Sequence, residues 1–94
     1  MNTPNLQFIK KGLAYKILKF LHDHKSEEVW SSKLSRKFEM SEPNVMLVIR
    51  QLEKCDLIRK EKSKFSKRIG TLKLTDKGNA VLENLDKIDS IVAA

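Results

Sequence analysis

A single cysteine, Cys55, stands among the 94 residues, which excludes an internal disulfide framework and fits a reducing cytoplasm. Glycine and proline are scarce, at three and two, and no repeat, low-complexity tract or Pro/Gly/Ser linker interrupts the chain. Residues 1–94 therefore read as one domain, close to the usual size of roughly 100–150 residues. Long apolar runs are missing too. The longest, Val45 to Ile49, falls far short of the roughly 20 residues that cross a bilayer. Met1–Gly12 has no signal-peptide pattern. The expectation is a cytoplasmic protein with no membrane partner.

Catalytic equipment is equally thin. There is no Gly-rich phosphate loop, no paired-carboxylate constellation in an apolar setting and no nucleophile motif, so an enzyme is not expected. His22 and His24 form a His-x-His pair near the end of the first predicted helix, where histidine commonly meets free carbonyls and the helix dipole. No cysteine cluster completes a zinc set around them, and neither a metal nor another cofactor is expected. Cys55 could sense oxidants if Lys54 and Arg59 stabilised its thiolate. The plainer reading is a small packing residue at a helix end.

What the chain does have is positive charge. Nineteen Lys and Arg against twelve Asp and Glu give a net charge of +7. Phosphate backbones, anionic membranes and acidic proteins all attract such a surface, and lysine also serves solubility. The arrangement of the charges has to decide.

Periodicity supplies the elements. Asn5 to Asp23 reads as a first helix, because Leu6, Ile9, Leu13, Ile17, Phe20 and Leu21 share one face at helical spacing. Phe8 and Tyr15, with Gly12 close by, fall on nearly the opposite face. Val29 and Trp30 suggest a short extended segment. Ser31 or Ser32 then caps a second helix running to about Phe38. Ser41 looks like the N-cap of a third helix, with Glu42 and Pro43 in its first turn, where proline's missing N–H is harmless. That helix runs to about Cys55 and buries Val45, Val48, Ile49 and Leu52. Two helices across a short turn, over about 31–55, make a helix-turn-helix unit. Leu57 to Lys62 and Arg68 to Leu74 read as strands joined by a Ser63–Lys67 loop. Thr75 caps a last helix over about 76–92, and Gly78 weakens its first turn. The order is α-(β)-α-α-β-β-α, mainly α with a small β-hairpin.

Two segments carry a resemblance. Ser41-Glu42-Pro43-Asn44-Val45 leads into Leu52-Glu53-Lys54-Cys55-Asp56-Leu57-Ile58, and Leu74-Thr75-Asp76-Lys77-Gly78 follows the basic hairpin. In this order the sequence resembles the winged-helix regulators of the broad MarR-like group, from about Val29 to Gly78. The resemblance implies a winged helix-turn-helix, with a recognition helix over about 43–54 and a wing over about 57–74. It implies a transcriptional regulator, and specifically a repressor that occludes double-stranded DNA. Asp56 stands where the family has a helix-ending glycine, and aspartate tolerates the left-handed conformation better than most residues. Of the family's Asp-x-Arg at the wing, only Arg68 remains. The long additional helices of typical full-length relatives are missing, so a small-molecule effector is not expected.

A recognition helix must show polar side chains opposite its buried stripe. Pro43, Leu47, Arg50 and Lys54 fall outward, with Asn44, Met46 and Gln51 on the flanks. Arg50 suits guanine, and Asn44 and Gln51 suit adenine, while Ser41 and Lys54 suit phosphate. Leu47 could touch a thymine methyl or mark a protein-binding surface. The wing carries Arg59, Lys60, Lys62, Lys64, Lys67 and Arg68 with Glu61 alone opposing them. The resemblance lays this hairpin along the backbone with Lys67 and Arg68 at the minor groove. Phe65 either packs under the tip or wedges against the sugar edge. By contrast, the last helix mixes Asp76, Glu83, Asp86 and Asp89 with Lys77 and Lys87, so the positive excess is one-sided.

Two apolar lines exceed what one small core needs: Phe8, Gly12 and Tyr15 on the first helix, and Val81, Leu85, Ile88 and Val92 on the last. Both suit a two-fold dimer that spaces two recognition helices about 34–36 Å apart. A protein-interaction module using Leu47 and Met46, and a non-sequence-specific architectural DNA binder, are the rival readings.

Overall fold

The computed structural model describes residues 12–66 and 70–93, and side chains as far as Lys87. Its elements are helices α1 (Leu13–Asp23), α2 (Ser31–Phe38) and α3 (Glu42–Lys54), strands β1 (Ile58–Lys62) and β2 (Gly70–Leu74), and helix α4 (Asp76–Ala93). The expected order of helices and hairpin holds, and it is that of a winged helix. The expected Asn5–Gly12 portion of the first helix lies outside the described residues as far as Lys11. At Gly12 it is corrected: the residue is the N-cap of α1, with φ −64° and ψ 155°. An extended residue cannot continue a helix, so the helix-interior penalty of glycine does not apply there.

The first three helices give their apolar stripes to one core. Ile17, Leu18, Phe20 and Leu21 from α1 meet Leu34 from α2 and Val45, Ile49 and Leu52 from α3. Val48, expected inside, is only half-buried. Ile58, Leu72 and Leu82 close the core from the hairpin and α4. Burying one such side chain stabilises by about 1.5–3 kcal/mol. Leu82, absent from the expected stripe of α4, is buried among the described residues, while Val81 and Leu85 sit half-exposed beside it. Tyr15 is a second correction. It does not face away from the core but packs partly against it, and its hydroxyl donates to Asp86 Oδ1 at 2.9 Å. The side of α1 that the helical wheel leaves open is covered by α4.

The helix ends explain the turns. Trp30, not Ser31 or Ser32, is the N-cap of α2, and the Ser31 hydroxyl instead donates to Glu42 Oε1 at 3.3 Å. Ser41 is the N-cap of α3 as expected, but without a side-chain bond. Glu39 ends α2 at φ 53°, and the Met40 amide returns to the Ser35 carbonyl at 3.1 Å. The end of α3 is a full Schellman motif. Leu57 N–H donates to Leu52 O and Asp56 N–H to Glu53 O, both at 2.9 Å, with Asp56 left-handed at φ 61°. Aspartate here takes the left-handed position that helix ends most often give to glycine.

β1 and β2 pair antiparallel with Ile58 opposite Leu74 and Lys62 opposite Gly70. The strand expected at Val29–Trp30 does not form. Trp30 is extended, at φ −129° and ψ 167°, and Val29 contributes one backbone bond, accepting from Leu72 N–H at 2.8 Å. Thr75 ties the seam together. Its amide donates to Leu57 O at 3.1 Å, its hydroxyl donates to Asp56 O at 2.6 Å, and its Oγ1 accepts from Gly78 N–H at 2.9 Å. A Cβ on Gly78 would collide with the Leu57 carbonyl oxygen. Only glycine lets the first turn of α4 lie that close.

Two substitutions at this seam should move stability in opposite directions. Gly78→Ala forces backbone apart and should cost about 1–3 kcal/mol. Asp56→Gly relieves a left-handed residue and should add about 0.5–1 kcal/mol. Urea midpoints at constant slope measure both.

Candidate nucleic-acid interface

Helix α3 buries Val45, Ile49 and Leu52 one turn apart, and this dictates what it shows to solvent. Ser41, Pro43, Asn44, Leu47, Arg50, Gln51 and Lys54 are exposed, and Met46 is half-buried. Proline in the first turn leaves no orphan N–H behind it. An outward strip of about three turns results from Pro43 to Lys54, holding the side chains that the sequence points to.

The hairpin adjoins that strip. Lys60 Nζ on β1 lies 3.5 Å from Glu53 Oε1 on α3. Met46 lines a shallow depression with Pro43, Leu47 and Arg50 and a second one with Lys60 and Gly70. Through Met46 the outer side of α3 runs directly onto the wing. Among the described residues two of the wing's cations form ion pairs: Lys60 with Glu53, and Arg59 with Glu61 at 2.9 Å. Such exposed pairs are weak and yield readily to another anion. Lys62 and Lys64 are exposed and form no ion pair among the described residues. Lys67 and Arg68 lie outside the described residues.

Phe65 corrects the packing expectation, being 89% exposed. The loop is held by its own polar groups instead. Ser63 Oγ accepts from the amides of Phe65 and Ser66 at 3.0 and 3.2 Å and donates to Glu28 Oε1. The other oxygen of Glu28 accepts from Lys64 N–H at 2.8 Å. These bonds, the Ser63 hydroxyl first, hold the Glu28 carboxyl below its usual value despite some desolvation, and Lys73 and Lys64 help. Lys73 Nζ in turn donates to the carbonyls of Lys25 and Glu27 at 3.0 and 2.9 Å. Glu28, Ser63 and Lys73 escaped sequence reasoning, for nothing local marks a contact spanning 35 residues.

The same is true of α2. Lys33 Nζ sits 5.4 Å over the Trp30 ring, and Arg36 and Lys37 share a surface patch with Trp30 and Phe20. The two histidines are used in packing. His24 stacks on Phe20 at 4.0 Å and its Nδ1 lies 2.9 Å from the Phe20 carbonyl, while His22 Nδ1 lies 3.4 Å from Asn79 Oδ1. Among the described residues no three His, Cys, Asp or Glu side chains could hold a metal, and no helix is long and apolar enough to cross a membrane. Cys55 closes α3 exposed to solvent, not packed as the plainer reading had it.

A sequence model of the MarR family matches residues 13–69, more than half of the chain. The chain belongs to the MarR family. Solved structures of MarR-family regulators share the fold. A single-residue mutant of S. aureus MepR superposes at a TM-score of 0.83 with 21% identity, over 93% of this chain and 64% of that one. The S. aureus MepR–DNA complex gives 0.81, 21%, 93% and 64%. The transcriptional regulator BldR from Sulfolobus solfataricus gives 0.74, 21%, 86% and 56%. This chain thus spans less than two thirds of the length of each. No curated protein sequence matches it significantly.

Within this MarR-family wing, the Glu28 clamp sets a pH dependence. A carboxyl whose value is lowered by folding stabilises above its unfolded value, and that gain is lost as the pH falls through the folded one. Glu28→Ala should therefore speed amide exchange at Lys64, Phe65 and Ser66 by roughly fivefold at neutral pH. The gap between variant and parent should close on acidification below the ordinary carboxylate range. Hydrogen exchange followed residue by residue checks it.

Proposed function

We propose that this protein is a sequence-specific regulator of transcription that binds double-stranded DNA as a homodimer and represses by occlusion. The observation that carries the reading is the single surface formed by the outer side of α3 and the cationic hairpin, joined at Met46. A helix fits the major groove, and a basic hairpin beside it fits the phosphates and minor groove of the same duplex. Arg50, Asn44 and Gln51 read base edges in this proposal. Lys54, Arg59, Lys60, Lys62 and Lys64 meet the backbone, with Lys67 and Arg68 beyond them at the wing. Arg36 and Lys37 join the backbone contacts, because the first helix of such a pair crosses the phosphates. The MepR complex with DNA supports the reading by analogy of fold. Such a protein works in the cytoplasm, where bacterial or archaeal DNA lies, and needs no cofactor.

The dimer is proposed through α4, whose Val81 and Leu85 stay half-exposed, continuing to Ile88 and Val92, and through Phe8 on the preceding segment. Gly12 and Tyr15 no longer argue for it. Gly12 is a helix cap, and the Tyr15 hydroxyl serves its own chain.

Selection of bound fragments from random DNA, then competition at several salt concentrations, tests the whole reading. Arg50→Ala should shrink the preference for the selected site by about five- to a hundredfold. Lys62→Ala should weaken all sequences alike and lower the salt slope by about one. Equal, sequence-blind losses from both would remove the division of labour. Light scattering at micromolar concentration should give twice the monomer mass.

A further inference from the structure

The middle of the proposed reading face is apolar, which a phosphate site has no use for. Pro43, Met46 and Leu47 form a shallow notch on α3, rimmed by Arg50 and Glu42. Leu47 is 56% exposed, so the described residues leave it largely uncovered. The rim carboxylate of Glu42, held by Ser31 at 3.3 Å, repels phosphate oxygens and steers the notch away from the backbone. Among base edges, the major groove offers hydrogen-bond donors and acceptors and one prominent apolar group, the 5-methyl of thymine. We infer that this notch reads the 5-methyl group of a thymine while Arg50 reads a guanine beside it.

The spacing fits. Leu47 and Arg50 are three residues apart, a rise of about 4.5 Å along a helix, close to the base step of about 3.4 Å. Side chains so placed address the same or neighbouring base pairs. Charge agrees as well, since the notch continues through Met46 onto the side carrying Lys60 and the rest of the basic hairpin. The inference rests on the reading of the chain as a sequence-specific DNA binder, and its test keeps the two apart.

The full chain is titrated with its selected duplex, in which each thymine of a half-site is replaced singly by deoxyuridine, deleting only the methyl. At one thymine, within a base step of the guanine that ceases to matter in Arg50→Ala, affinity should fall about fourfold. Leu47→Ala should show a similar loss on the unmodified duplex and no further loss with uracil at that position. Leu47 is exposed, so circular dichroism of the variant should match the parent. Specific binding that tolerates uracil at every thymine overturns the inference and leaves the regulator reading standing. So does Leu47→Ala binding with undiminished affinity, which would give the notch to a protein partner. A chain that prefers no duplex at all overturns both.

Discussion

The carbonyl of Leu57 accepts the amide of Thr75 on one side and is brushed on the other by Gly78, which has no Cβ to collide with it. Three chain segments meet at this one peptide: the exit of α3, the start of β1, and the joint between β2 and α4. The Thr75 hydroxyl adds a bond to the Asp56 carbonyl and another from the Gly78 amide, so the crossing is closed on all sides. Pitch follows from it. Because Asp56 turns left-handed and Leu57 is pinned, β1 leaves α3 at a set angle, and the hairpin cannot swing without breaking the seam.

The far end of the hairpin is fixed differently. There the restraint is polar and exposed: the Glu28 carboxylate from the α1–α2 connection grips the loop, while Lys73, near the root opposite Arg59, binds two carbonyls of that same connection. The seam at Leu57, with Thr75 and Gly78 buried, adjoins the core and shares its stability. The polar clamp opens locally at far less than the global unfolding energy, as exposed hydrogen bonds do. A hairpin anchored firmly at its root and lightly at residues 63–66 keeps its root fixed while the loop adjusts locally. Its aromatic tip residue is held in water by hydrogen bonds to Ser63, not by apolar cover.

Where packing repeats along one element, the sequence was readable. Val45, Ile49 and Leu52 announce α3 and thereby which residues must face outward, and Leu74-Thr75-x-x-Gly78 announces the seam because each residue there has a local geometric duty. Contacts between distant segments were not. Leu82 does not stand out because Val81 and Leu85 make an equally regular stripe, and only the packing of α4 on α1 decides between them. The helical wheel assigns Tyr15 to a face for a second copy, and α4 of the same chain occupies that side of α1. Ser31 looked like a cap by type, yet Glu42 offers its hydroxyl a partner and Trp30 takes the position. The Glu28–Ser63 contact has no signature in either residue's neighbourhood. Periodicity reports faces, and partners across the fold remain silent.

The sequence contains one thiol, and it sits exposed at the last turn of α3, a turn beyond Arg50. A spin label or fluorophore attached there reports from the C-terminal end of α3 without a competing signal. In a two-fold pair the label-to-label separation becomes a ruler. It registers how far apart the two helices stand in solution, and whether meeting a duplex draws them together or spreads them.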